Sequence, residues 1–314
     1  METLNEGFTY FLDCGGGGVG SALLHTIGGK CLGNLDTGNL QKVIFERNED
    51  ALCIPMDVMV ATLENTNAAL EAAGKPRIEK GAIDIYIAST SCKEISLVNK
   101  KRSWFAPSNL NLLDLPRRVA EFMPKTVVCE NSDNLLNPNM RPLFNLFLHE
   151  LDKLKDYNYE FAVVNSHNYS VGQVRKRCYT LLTRKDYGYP VWPEPNTDDY
   201  TALNLNVLFP EIIGFASGQY RTEPSPADRP ACVVTATGSI TVFTKQVKRK
   251  LTIDEGKVLM TVPKEFNLEG LTYREAFEIL GNGIPSKLML AIVQTIKDKV
   301  LSRGGLGQYT GLAA

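Results

Sequence analysis

The chain has 314 residues, 44% of them hydrophobic, with a formal charge of −1 and a pI near 6.4. That length allows one large α/β domain with a smaller one. The near-neutral balance excludes binding to nucleic acid through a basic average, so any such contact must use local basic patches. Seven scattered cysteines (Cys14, Cys31, Cys53, Cys92, Cys129, Cys178, Cys232) form no C-x-x-C pair, so neither zinc nor a secreted disulfide scaffold is expected. No secretory leader and no membrane-spanning run is expected either.

In chain order, "TYFLD" reads as a strand, "SALLHTI" as a helix, "KCLGNLD" as a second strand and "NLQKVIFERN" as a helix. "AIDIYIAST", "TVVCEN" and "EFAVVNS" read as further strands that end in small or polar residues. "LLDLPRRVAEFM" and "RPLFNLFLHELDKL" carry the helical period. Alternating βα units predict a mostly parallel sheet covered by helices. Near residue 187 the composition shifts to Pro, Tyr and acidic residues. "CVVTATGSITVFTKQVKRKL" then predicts a hairpin turning at Gly238–Ser239. "SKLMLAIVQTIKDKVLSR" returns to a helical period. A small β-containing insert at 187–270 is therefore expected between two parts of one α/β domain, 1–186 and 271–314.

The glycine run of "FLDCGGGGVG" follows a strand that ends at Asp13. Glycines let backbone approach a ligand without a Cβ in the way. Asp36, at the end of the second strand, can accept hydrogen bonds from two ribose hydroxyls, which points to an adenosine-containing cofactor; a purely structural turn is the alternative. No G-K-[ST] follows, which argues against a nucleotide phosphate loop. Cys92 closes the strand "IDIYIAST", either as an inert core residue or as a nucleophile. Glu130 closes the next strand, as an acid or as a cap. Gln173, Arg175 and Arg177 alternate, so on an extended segment all three share a face, suited to a carbonyl oxygen or phosphate unless it is merely solvated.

Taken in order, these motifs resemble those of the DNA cytosine-5 methyltransferases along nearly the whole chain. The family's glycine-rich cofactor motif resembles "FLDCGGGGVG", and its acidic motifs fall on Asp36 and on Asp57 of "PMDV". The P-P-C-Q motif falls on Thr90-Ser91-Cys92-Lys93, E-N-V on Glu130-Asn131-Ser132, and Q-x-R-x-R on Gln173, Arg175 and Arg177. L-T-x-x-E is matched by Leu251, Thr252 and Glu255, and G-N-x-[VI]-P by Gly281 to Pro285. The departures are Thr90 and Ser91 for two prolines, Lys93 for glutamine, Ser132 for valine, Gly172 for a proline, and Asp13 for the usual phenylalanine. Without the prolines the cysteine loop is less rigid.

The resemblance implies a Rossmann-like S-adenosylmethionine-dependent methyltransferase sheet with a small target-recognition domain at 187–270. It implies methyl transfer to carbon 5 of cytosine in double-stranded DNA, through a Cys92 adduct on a flipped-out base. S-adenosylhomocysteine is the co-product and no metal takes part. Cys92, Glu130, Arg175 and Arg177 are the implied catalytic residues. Asp13, Cys14, Gly15, Gly17, Asp36, Asp57 and Asn282 would hold the cofactor. Lys93, Ser96, Lys100, Lys101, Arg102, Gln173, Lys248 and Arg249 would meet nucleic acid, with Trp104 or Phe105 filling space near the site. A cytoplasmic monomer of bacterial or phage origin, with a cognate restriction nuclease as partner, completes the expectation. The alternatives are a tRNA cytosine-5 methyltransferase and a catalytically weak DNA-binding paralogue.

Overall fold

The computed structural model describes residues 7–90, 95, 103–217 and 224–303. Seven strands form the larger sheet: β1 Phe8–Asp13, β2 Gly29–Leu35, β3 Cys53–Ile54, β4 Ile85–Ser89, β5 Thr126–Ser132, β6 Tyr157–Asn165 and β7 Lys176–Arg184. Their order is β3-β2-β1-β4-β5-β7-β6. The first five in space pair parallel, and β7 runs antiparallel between β5 and β6. The chain walks outward from β1 to β3, then returns to lay β4 on the other side of β1. Ligands in open α/β sheets bind in the crevice at such a reversal, outside the carboxyl ends of the strands.

Alternating side chains bury both faces of this sheet, as expected for strands rich in apolar residues throughout. On β1, Phe11 faces one core and Tyr10 and Leu12 the other; on β4, Tyr86 and Ala88 oppose Ile85 and Ile87. The first core is closed by α4 Leu115–Phe122 and α5 Arg141–Leu151, the second by α9 Ser286–Lys299. The remaining helices are α1 Asn39–Asn48, α2 Leu63–Ala72, the single turns α3 Leu110–Leu113 and α6 Leu205–Leu208, α7 Ile253–Leu259 and α8 Tyr273–Asn282. Capping boxes start α2 at Thr62, α7 at Thr252 and α8 at Thr272. The Thr252 and Glu255 of the L-T-x-x-E match are thus the two halves of one helix cap. Tyr273–Lys299 is apolar, but it is two helices, and 67% of its most hydrophobic window is buried as core.

A second sheet, in the order β11-β10-β8-β9, holds β8 Ile212–Ser217, β9 Ser225–Pro226, β10 Ile240–Thr244 and β11 Lys248–Lys250, all antiparallel. Its core residues Ile212, Ile240 and Val242 join Val234, Val19 after the glycine run, Ile44 of α1, and Phe277 and Leu280 of α8 in one cluster, so the small sheet packs on the helices and turn at the end of the large one. Gly281 marks the closest approach: a Cβ there would lie 2.1 Å from the Thr235 carbonyl carbon.

Two sequence expectations differ from the structure. "SALLHTI" forms only the 3-10 turn Leu24–Ile27, stopped by Gly28 at φ 85°. The hairpin turns at Thr244–Val247, where the Thr244 hydroxyl accepts the amides of Gln246 and Val247. Gly238 instead packs on Tyr273, whose hydroxyl donates to its carbonyl.

Candidate active site

The carboxyl end of β1 turns sharply through Cys14, which sits at φ 55° with its amide on the Leu35 carbonyl. Asn34 of β2 braces the turn, accepting the Gly15 amide at 3.0 Å and donating to the Gly16 carbonyl at 3.1 Å. Asp36 accepts the Gly16 amide at 3.0 Å and the Gly38 amide at 2.9 Å. A Cβ on Gly15 would strike Leu12 at 2.7 Å, and one on Gly17 would strike Ile279 at 2.9 Å. A Cβ on Gly16, at φ +58°, would meet nothing within 4 Å among the described residues. Gly283 packs on Val19, and the Ser286 hydroxyl donates to the Val19 carbonyl, bringing exposed Asn282 beside the turn. Asp57 is exposed and caps the short 3-10 turn Val58–Val60, accepting the Met59 amide at 2.9 Å.

This donor set fits an adenosine-bearing sulfonium. Asp36, at the end of β2 beside the glycine turn, is a carboxylate acceptor of the kind a ribose diol requires. Gly16, without a Cβ, admits ligand close to its backbone. Asp13 differs from expectation. It has no exposed surface, and its Oδ2 accepts from Arg118 Nε at 2.7 Å and from the Tyr86 hydroxyl at 3.0 Å. Its side chain turns inward to α4 instead of over the glycines. Burial opposes the Arg118 charge, but Asp13 and Tyr86 outweigh it and hold the guanidinium above its ordinary pKa. Burial, and then Asp13 and Asp36, push the Cys14 thiol well above its usual range, so it stays protonated.

At the other side of the reversal, β4 ends in Ser89, paired with Glu130 of β5, while Ser132 pairs with Arg177 of β7. Glu130 is 6% exposed, and its Oε1 lies 3.2 Å from Arg177 Nε. Below it the Tyr179 hydroxyl is buried without a partner; burial, and then Glu130, keep it firmly protonated. Cys92, Lys93, Ser96, Lys100, Lys101 and Arg102 lie outside the described residues. Their described neighbours are held closely. Asn131 donates to the Thr90 hydroxyl at 2.9 Å and to its carbonyl at 3.2 Å. Asn134 donates to the Ile95 carbonyl, and Asn137 to Asn134. Sequence reasoning missed this asparagine series; the recurring Asn of "ENSDNLLN" was its signal. Trp104 is partly buried against the first core, and Phe105 is 73% exposed.

Gln173 and Arg175 precede β7 and have different partners from Arg177. Gln173 is fully buried; it donates to the Leu259 carbonyl at 2.7 Å and accepts the Val234 amide at 3.0 Å. Arg175 donates to the carbonyls of Val234, Gly281 and Gly283. The ends of α7 and α8 expose carbonyls that lack helical donors, and these two side chains satisfy them. On the small sheet, Arg249 is held by Glu255 through two bonds of 2.7 and 2.8 Å, with Glu211 at 3.5 Å. Lys248 is exposed, its ammonium 5.4 Å from the Phe243 ring centre. Among the described residues no group of His, Cys, Asp and Glu could hold a metal.

The family described as C-5 cytosine-specific DNA methylase matches residues 14–223. The type II methyltransferase M.AquIA of Picosynechococcus is 24% identical over 246 residues, 76% of each chain. M.HgiCII of Herpetosiphon aurantiacus is 27% identical over 137 residues, 42% of this chain and 31% of that one. The alignments therefore span about three quarters of the first relative and a third of the second. Among solved structures, the methyltransferase EhMeth of Entamoeba histolytica superposes with a TM-score of 0.66 at 13% identity, over 93% of this chain and 99% of that one. A prophage-encoded protein from E. coli, described as a DNA modification methyltransferase, gives 0.70 at 12% identity over the same shares. At such identities the superpositions show the fold.

Proposed function

Since the chain belongs to the C-5 cytosine-specific DNA methylase family, we propose that it methylates carbon 5 of cytosine in double-stranded DNA through a covalent Cys92 adduct on a flipped-out base. The observation that carries this reading is the Glu130–Arg177 pair at the strand end adjoining Thr90, two residues before Cys92. Carbon 5 of cytosine is too poor a nucleophile to take a methyl group unaided. The Cys92 thiolate adds to carbon 6, and the displaced electron pair moves through the ring toward nitrogen 3. Glu130, protonated, hydrogen-bonds nitrogen 3 and stabilises that charge. The remaining Arg177 donors bind the ring carbonyl oxygen. S-adenosylmethionine, held by the Gly15–Gly17 turn, Asp36, Asp57 and Asn282, supplies an electrophilic methyl on sulfur. Carbon 5 would take that methyl as the methyl–sulfur bond breaks and S-adenosylhomocysteine is released; loss of the carbon 5 proton to a base then returns the electron pair to the ring and expels Cys92 as thiolate.

Residues 1–186 and 271–314 would carry the cofactor and chemistry, and 187–270 target recognition, with exposed Lys248 on phosphate. A cognate nuclease, a monomeric state and a bacterial or phage cytoplasm belong to the same proposal. DNA containing 5-fluorocytosine tests it, because the carbon–fluorine bond blocks the final elimination. A denaturation-resistant adduct is expected with the parent and none with Cys92→Ser. Neither adduct nor labelled methyl transfer to mixed-sequence DNA would sink the proposal, and labelling of tRNA alone would move the substrate to RNA.

A further inference from the structure

The Asp13–Arg118 pair has no part in the chemistry above, yet it is the most costly feature of the first core. Both side chains are fully buried, among the rings of Phe11, Tyr86 and Phe122, whose centroids lie 5.6–5.8 Å apart. Taking two charges out of water costs several kcal/mol per ion. Phenylalanine is usual at the Asp13 position in this family, so an apolar solution is available. One carboxylate oxygen, Asp13 Oδ1, is also buried with no partner for it among the hydrogen bonds of the described residues. Stability alone does not account for such an arrangement.

Its connections suggest what does. Arg118 is a three-way fork: Nε reaches Asp13, Nη1 reaches Asp114 at 2.8 Å, and Nη2 reaches the Asn111 carbonyl at 3.1 Å. Asp114 is shared with Arg117, at 2.8 Å to each of Nε and Nη2. Arg117 in turn donates to the carbonyls of Ala61, Val58 and Met59. Asp13 is the residue from which the glycine turn departs. The Val58–Val60 turn is the one that Asp57 caps. Two loops from different strands are therefore tied to the start of one helix by an unbroken series of charged contacts.

We propose that the Asp13–Arg118 pair positions the cofactor site, setting the distance between the Gly15–Gly17 turn with Asp36 and the turn capped by Asp57. The adenosine part of the cofactor needs both at once, its ribose at Asp36 and its base beside Asp57. This rests on the cofactor reading above. Arg118 and Asp13 touch no ligand; they act through the loops they hold. Displacement of such a support by a fraction of an ångström loosens a bound ligand without unfolding its scaffold.

The test is the charge-free double variant Asp13→Leu/Arg118→Leu, read by thermal unfolding and by calorimetric titration with S-adenosylhomocysteine and with adenosine. Replacing a buried pair by apolar residues is often neutral or stabilising, so the melting temperature should hold or rise. Dissociation constants for both ligands should rise by a similar factor, on the order of tenfold or more, because the adenosine half senses the spacing. Parent-like affinity in a stable double variant would overturn the proposal and leave the pair a purely structural one. If the double variant does not fold, Arg118→Lys serves instead: it keeps the charge but cannot reach three acceptors, so the same loss is expected, and unchanged affinity would again overturn it. A parent that binds neither ligand would instead remove the cofactor reading itself.

Discussion

Two arginine–carboxylate pairs stand at strand ends on either side of β4, and they are built differently. Asp13 and Arg118 close β1 with no side-chain exposure on either partner. Glu130 and Arg177 close β5 and β7 with 8% and 19% of their side chains exposed. The sealed pair is committed to other protein atoms: Arg118 donates to a second carboxylate and to a carbonyl, and Asp13 accepts from the Tyr86 hydroxyl. The open pair keeps donors and a solvent path. Charge hidden in the scaffold fixes loops, whereas charge at the rim of the crevice is available to a substrate.

The largest expected effects cross between these pairs. Glu130→Gln should lower kcat by roughly 10²–10⁴-fold, the span for loss of a general acid, with little change in melting temperature. Arg118→Met leaves Asp13 buried without its partner and should cost about 3–5 kcal/mol of stability, seen as a lower urea midpoint. If Glu130→Gln unfolds the protein while Arg118→Met only slows it, the division between rim and scaffold is wrong.

The division was only half legible in the sequence. Strand and helix periodicity is local, so α1 falls on the expected Asn39–Asn48 and β1, β2 and β5 fall within a residue or so of their expected bounds. The placement of Glu130 beside the end of β4 also follows from strand order. What was hidden depends on partners far along the chain. The acceptors of Arg175 lie 59 to 108 residues away, and Asp13 is 105 residues from Arg118. Alternation alone put Gln173, Arg175 and Arg177 on one face. It did not show that carbonyls at the ends of α7 and α8 take the first two while only Arg177 reaches Glu130.

A middle-sized effect lies at the cysteine segment's flank. The Thr90 hydroxyl and carbonyl both accept from Asn131, and Thr90 is 2% exposed. Where the family has a proline, which restricts the chain by its ring, this chain has a hydrogen-bonded threonine. Thr90→Val keeps the shape but strands one Asn131 donor, at about 1–3 kcal/mol. If that bond substitutes for the ring, the rate of adduct formation with 5-fluorocytosine DNA should fall while KM for DNA holds, and Thr90→Ser should restore it. Parent-like rates in Thr90→Val with a loss in Thr90→Ser would mean that the methyl group, not the bond, matters.

The smallest effect is at the small sheet, where Arg249 resembles the sealed pair more than its exposed neighbour Lys248. Burial would raise the Glu255 pKa, but bonds from Arg249 and from the Thr252 amide overcome this and lower it below the ordinary 4.5. The unfolded chain then binds more protons than the folded one in that range, so the pair's stabilisation is complete above pH 4.5 and is lost as pH falls through the folded value. With Arg249 still 30% exposed, the contribution is below about 1 kcal/mol. Urea unfolding should show Arg249→Met less stable than the parent at pH 7, with the gap narrowing as the medium is acidified below that range. A gap independent of pH would show that Glu255 does not carry it. Because its fork is already occupied by Glu255, Arg249→Met should weaken DNA binding less than Lys248→Ala; the reverse order, measured by fluorescence anisotropy, would mean that Arg249 exchanges its carboxylate for phosphate when DNA arrives.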